Sequence, residues 1–239
     1  MIKVVNYTER AEIYIYGVII DDTDAMWIKT VDEDGMGYEW PEKIRKQLED
    51  IAGKPVDVHI ASDGGNVSAG IAIFNLLKNH TAPVTVYIDS WAASIASVIA
   101  MVADKIVMPE NTFLMIHNPM GGARGDASYL RSVADWLDKL REIIAETYAK
   151  RSNGSIYDIK ALMDKETWFT AKEAADMFTN VVLEPSNDIE AVACYKSEFK
   201  NAPEAIKGAG LNKPVNDLAD NNNEFNDKIF KVLQEAFKL

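Results

Sequence analysis

Val56-Asp-Val-His-Ile-Ala-Ser-Asp-Gly-Gly65 leads into a helical stretch at 68–79, and Val84-Thr-Val-Tyr-Ile-Asp-Ser-Trp-Ala-Ala-Ser94 leads into an apolar one. These two passages decide the fold. Residues 56–61 and 84–89 alternate β-branched and aromatic residues as strands do. Residues 62–65 read as a turn, and the apolar run 91–103 reads as a buried helix, too short to span a bilayer. Upstream, Glu12-Ile-Tyr-Ile-Tyr-Gly-Val-Ile-Ile20 predicts a strand, 32–37 a loop, and Pro41 starts a helix with Ile44, Leu48 and Ile51 on one face. Downstream, 105–108 and 113–116 predict short strands. Strands and helices alternating at this interval predict an α/β layered fold with a largely parallel sheet.

A long helix is expected from Ala127 to about Arg151, with Leu130, Val133, Ala134, Leu137, Leu140, Ile144 and Tyr148 at helical spacing and Asn153-Gly154 ending it. Helices near 155–164 and 170–178 flank Glu166-Thr-Trp-Phe, and 181–183 reads as a final strand. The division expected is a compact domain over 1–184, a linker or extension over 185–224, and an amphipathic helix over 225–239 carrying Phe225, Ile229, Val232, Leu233, Ala236 and Phe237.

The formal charge of −12, from 37 acidic against 25 basic side chains, argues against a nucleic-acid partner, which needs clustered Lys and Arg. A single cysteine, Cys194, excludes an internal disulfide and fits a reducing cytoplasm. The N-terminus lacks a signal-peptide pattern and no run is long enough for a membrane span, so a cytoplasmic location is expected. With no Cys/His cluster at metal-ligand spacing and no phosphate-cradling Gly-Lys-Ser loop, no metal or other cofactor is expected, nor ATP hydrolysis by the chain itself.

The chemistry-bearing residues sit where strands end. Asp63-Gly-Gly65 lets backbone pass close to a ligand with N–H groups outward. Ser94 opens a helix, so its hydroxyl meets the positive end of that helix. His117 follows a hydrophobic strand, and His59 and His80 are the other histidines. Asp164-Lys-Glu166 lies between two helices. Acyl transfer needs these types together: a histidine to take the serine proton, a carboxylate to orient the imidazole, and two N–H donors for the oxyanion, placed at Gly65 and Ile95. Singly, each residue has a commonplace structural role, and a serine hydrolase stays one option among several. The order Ser, His, acid and the lack of a Gly-x-Ser-x-Gly elbow argue against the α/β-hydrolase arrangement.

Over roughly residues 12–184 the chain resembles the Clp protease family, and within it the phage-type relatives that process capsid proteins. The motifs are Ser62-Asp-Gly-Gly-Asn-Val-Ser-Ala-Gly70, Ala92-Ala-Ser94, Met115-Ile-His117-Asn-Pro-Met-Gly-Gly122 and Phe169-Thr-Ala-Lys-Glu-Ala174. The resemblance implies a ClpP/crotonase-like spiral of βαβ units, while the composition beyond it reads as a flexible C-terminal extension. The resemblance also implies ring-shaped homo-oligomers and a triad of Ser94, His117 and an acid. The family aspartate falls on Glu166, with Asp164 as the alternative, and Gly65 and Ile95 match the oxyanion donors. Two departures stand out. Ser90-Trp91 replaces the family's glycine before the alanines, and Ile95 replaces methionine. The N-terminus also lacks the longer segment by which bacterial subunits engage an ATPase ring.

The expected function is a serine endopeptidase on protein or peptide substrates, favoured as a phage or prophage head-maturation protease acting on capsid or scaffold proteins. The alternatives are a housekeeping Clp subunit with an ATPase partner, a crotonase-type acyl-CoA enzyme, and a non-catalytic capsid scaffold on the same fold.

Overall fold

The computed structural model describes residues 5–7, 9–31, 35, 37–51, 53–185 and 201–202. The helix expected at 225–239 and most of the expected linker lie outside them. The order of elements begins β1 (Val5–Asn6), β2 (Ala11–Ile19), α1 (Asp22–Val31), β3 (Tyr38–Glu39), α2 (Pro41–Asp50), β4 (Val56–Gly65), α3 (Val67–Lys78) and β5 (Val84–Ala93). It continues with α4 (Ile95–Ala100), β6 (Lys105–Pro109), β7 (Phe113–Ile116), α5 (Ala127–Ala149), α6 (Ile156–Asp164), β8 (Thr167–Thr170), α7 (Ala171–Met177) and β9 (Val181–Glu184).

The strands form one sheet in the order β1-β2-β4-β5-β6-β9, with β3 beside β2 and the β7-β8 pair beside β5. Pairing is parallel except for β1 with β2 and β7 with β8. The mixed α/β fold with a parallel sheet is therefore present. Its core lies between one sheet face and the helices: Ile13, Ile15, Val58, Ile60, Val86 and Ile88 pack with Ile44, Ile73, Leu77 and Ile99. Each such side chain contributes roughly 1.5–3 kcal/mol by leaving water. On the other face the register sets Tyr14, His59 and Tyr87 side by side. Their rings stack at 4.8 and 5.0 Å.

The longest departures from the expected elements fall beside the serine. Residues 62–65 do not turn. They extend β4, pairing Gly64 and Gly65 with Val18 and Ile19, because a bulge that sets Ser62 and Asp63 of β4 opposite Gly17 of β2 lets the pairing resume. The run 91–103 is not one helix either. Trp91, Ala92 and Ala93 pair with Phe113, Leu114 and Met115, so β5 continues to Ala93 and α4 starts at Ile95. Small and aromatic apolar residues fit a buried strand as well as a helix, and the partner strand decides between them. Residues 167–170 are likewise a strand, antiparallel to β7. α1 carries no strong periodicity in the sequence and is started by Asp21, whose Oδ1 accepts from the N–H groups of Thr23 and Asp24.

Candidate active site

β5 forks. Its first half pairs with β6 and its last three residues pair with β7, so the ends of β5 and β7 lie together. Ser94 stands at the first end and His117 just past the second. The Ser94 N–H donates to the carbonyl of Met115 at 3.1 Å. Ser94 has φ 57° and ψ −130°, a left-handed conformation that a non-glycine residue adopts at a cost of about 1–3 kcal/mol. Strain of this kind persists where surrounding contacts over-determine it, and here it turns the side chain out of the strand toward the imidazole.

His117 Nε2 lies 2.7 Å from Ser94 Oγ. His117 is 9% exposed. Burial pushes its pKa below the usual histidine value, and the opposing pull of the Glu166 carboxylate is the smaller effect. The imidazole is thus neutral near pH 7, with Nε2 able to accept the hydroxyl proton. The other two histidines lie apart from this site. His59 Nδ1 contacts Asp89 at 2.9 Å within the stack, and His80 Nε2 contacts the carbonyl of Lys54 at 2.7 Å.

The two candidate acids are separated by their surroundings. The β7-β8 register ends with Ile116 paired to Thr167, which leaves His117 and Glu166 just beyond the same end of the ladder, and the Glu166 charge acts on the imidazole. Glu166 also has a positive φ of 49°, and its Oε1 accepts from the Asn201 N–H at 2.7 Å. Asp164 points elsewhere. Its Oδ1 accepts from Asn118 Nδ2 and Arg141 Nη2, both at 2.8 Å. These bonds, the Asn118 one foremost, hold the Asp164 carboxyl below the usual carboxylate range.

Glycine lets β4 pass beside the Ser94–Ile95 turn. At Gly64, φ is 92°, and a Cβ would lie 2.8 Å from Ser94 Cβ and 3.1 Å from the Ile95 nitrogen. At Gly65, φ is 142° and a Cβ would sit 2.1 Å from the Ile19 carbonyl oxygen. No other residue type lets β4 pass this close to the Ser94–Ile95 turn. Trp91, where the sequence departs from the family glycine, donates its indole N–H to Asp63 Oδ1 at 2.7 Å and braces the same segment. A narrow cleft beside the hydroxyl is lined by Val67, Ile95, Val98, Pro119, Ile144 and Tyr148. A larger cleft of about 480 Å³, near Phe74, Met101 and Arg151, includes none of the predicted site residues.

The structure brings Ser94 and His117 together, sets Gly64 against the Ser94–Ile95 turn with Gly65 paired to Ile19 beside it, and leaves Glu166 near enough for its charge to act on His117. Sequence reasoning gave no role to Arg141 or Asn118, because polar residues on a helix face or loop give no periodic signal, and it named Trp91 only as a departure from the family. It also missed that Asn201, in the expected linker, returns to Glu166 and to the Lys165 carbonyl, and that Ala202 beside it is buried.

Residues 12–179 match the Clp protease family. The chain belongs to that family. Among its relatives is the ATP-dependent Clp protease proteolytic subunit of Ligilactobacillus salivarius, 34% identical over 126 residues, which are 52% of this chain and 64% of the relative. A subunit of the same name from Bacteroides fragilis is 34% identical over 127 residues, 52% of this chain and 61% of that protein. The matched region thus spans less than two thirds of these curated relatives. A ClpP1 mutant structure from Listeria monocytogenes superposes with a TM-score of 0.59 at 27% identity, covering 74% of this chain and 92% of its own. Membership in the Clp protease family accounts for the parallel sheet.

Proposed function

We propose that this member of the Clp protease family is a serine endopeptidase with Ser94 as nucleophile, His117 as general base and Glu166 as orienting acid. The observation that carries this is the 2.7 Å contact between Ser94 Oγ and a buried His117 Nε2 at a strained turn. In the reaction Nε2 takes the Oγ proton as Oγ bonds to the scissile carbonyl carbon. The oxygen gains the charge and is met by the N–H groups of Gly65 and Ile95. Loss of one such donor costs about 2.7–4 kcal/mol of barrier. Imidazolium then protonates the leaving amine, and water repeats the sequence on the acyl-enzyme. A crotonase-type acyl-CoA reaction has no use for a Ser–His contact, and an inert scaffold has no use for the strain.

An alkyl fluorophosphonate tests the reading. It should label the wild-type chain and leave Ser94→Ala and His117→Ala unlabelled. Labelling of Ser94→Ala at the wild-type rate overturns it.

Within this class we favour maturation of phage or prophage capsid proteins, on the strength of the extension after residue 185 and its apolar segment at 225–239. The second reading is a Clp subunit that works with an ATPase, and it is supported by the names of the relatives. Neighbouring genes separate them. Capsid and portal genes support the first, and an ATPase unfoldase gene supports the second.

A further inference from the structure

We infer that Ser97 and Tyr148 are positioning residues for the nucleophile, forming a buried hydroxyl pair that ties the Ser94 carbonyl to the strand carrying His117. This rests on the reading of Ser94 as nucleophile. Ser97, in α4, is 0% exposed and Tyr148, near the end of α5, is 1% exposed. Ser97 Oγ lies 2.7 Å from the Ser94 carbonyl oxygen, 2.7 Å from the Met115 carbonyl oxygen and 2.7 Å from the Tyr148 hydroxyl. The Tyr148 hydroxyl is itself 3.4 Å from the Ser94 carbonyl oxygen.

Four oxygens share two protons in this knot. A hydroxyl has one proton to donate, and a carbonyl donates none. Ser97 therefore donates to only one partner at a time, and the Tyr148 proton goes to Ser97 Oγ at 2.7 Å or to the Ser94 carbonyl at 3.4 Å, so the pair serves oxygens that neither hydroxyl serves alone. Burial pushes the Tyr148 pKa up, so the phenol keeps its proton and remains a donor. Neither hydroxyl is fully satisfied without the other.

The knot sits where the site geometry is set. The left-handed φ of Ser94 is maintained by what holds its N–H and its carbonyl: the N–H donates to Met115, two residues before His117, and the carbonyl accepts from the Ser97 N–H and adjoins the Ser97–Tyr148 pair. Two turns earlier on α5, Arg141 donates from Nε to Asn118 Oδ1 at 3.0 Å, beside His117. One helix thus fixes both partners of the Ser94–His117 contact. Burial alone explains an apolar side chain at 148. It does not explain a phenol and a hydroxyl converging on the nucleophile's own carbonyl.

The test uses the full chain with Ser97→Ala, Tyr148→Phe and the double variant, each assayed where its melting curve shows it folded. The readouts are the rate of labelling by an alkyl fluorophosphonate and kcat and KM on p-nitrophenyl acetate. Each single variant should slow labelling and lower kcat by about 10- to 100-fold with KM unchanged, the scale expected when a reacting group is misplaced. The double variant should be no slower than the slower single one, since the pair acts as a unit. Wild-type labelling by folded Tyr148→Phe or Ser97→Ala overturns the inference, as do two effects that multiply. If Tyr148→Phe does not fold, Ser97→Ala decides alone. Ser94→Ala serves as the control. If it labels, the nucleophile reading falls. If it does not label while both hydroxyl variants do so at the wild-type rate, this inference alone falls.

Discussion

At Ser94 the protein places a hydroxyl against an imidazole that burial keeps neutral, and this sets the pH dependence of both activity and stability. His117 has its pKa lowered by burial, partly offset by Glu166. The acid limb of kcat/KM should therefore have its midpoint below the ordinary histidine value of about 6.5. For stability the sign follows from the same shift. The unfolded chain takes up a proton at His117 first, so the contribution of the neutral imidazole is lost as pH falls below about 6.5. A pH–rate profile on a small ester checks this, and a flat rate down to pH 5 would count against His117. The acids give a second expectation. Glu166→Gln should lose most activity and keep the fold, while Asp164→Asn should weaken an exposed Arg141 ion pair worth about 0–1 kcal/mol and cost little turnover. Steady-state kinetics on the two variants decides between them, and the reverse pattern moves the role to Asp164. Ser94 and His117, which the motif resemblance singled out, do lie in contact. The left-handed turn at Ser94 was not legible, since nothing in Ala-Ala-Ser-Ile requires a positive φ.

β5 shows what an element hides in its sequence. Val84-Thr-Val-Tyr-Ile alternates and reads correctly as a strand, whereas Trp91-Ala-Ala reads as helix and is strand. Its pairing with β7 supplies hydrogen bonds that no local pattern announces. The same holds for β8, whose Thr-Trp-Phe-Thr becomes a strand because β7 offers an edge. The helices fared better, because α2, α5 and α6 each carry a one-sided apolar stripe. The close passage of β4 past Ser94 leads to a prediction at this scale. Gly64→Ala would force a Cβ against the Ala93 carbonyl and Ser94 Cβ at a φ of 92°. It should destabilise the chain by more than about 1 kcal/mol and cut turnover, because the backbone that carries Gly65 must shift. A denaturant melt and an ester assay measure the two effects. Wild-type stability with wild-type turnover would mean that the segment yields freely.

For the whole molecule, α5 is the conspicuous feature. Along its 23 residues Ile144, Ala145 and Tyr148 are buried, all near the C-terminal end. Leu130, Trp136 and Ile143 are 44%, 57% and 51% exposed. Trp136 and Ile143, seven residues apart on one face, with Leu130 on another side, leave exposed apolar surface that fits contact with other copies, as the ring-shaped oligomers implied by the resemblance would need. Light scattering should show an oligomer at micromolar concentration, and Leu130→Asp with Trp136→Asp should shift it toward monomer. A wild-type monomer would defeat the proposal. The C-terminal segment gives a contrasting pair of truncations. A chain ending at residue 211 retains the Asn201–Glu166 contact and should keep ester activity. One ending at residue 199 removes that contact and should lose part of it. Equal activities would show that Asn201 does not support the acid.

From its sequence alone this protein declares an α/β layered chain, most of its longer strands and helices, and the residue types for acyl transfer. Period-2 and period-3.6 patterns and short motifs are local properties, so local reading finds them. Tertiary structure decided how those residues meet. The fork in β5, the extension of β4 to Gly65, the Ser94–His117 contact, and the Ser97–Tyr148 knot all join residues far apart in the chain. Their partners are set by register and packing, which come into being when the sheet closes over its core.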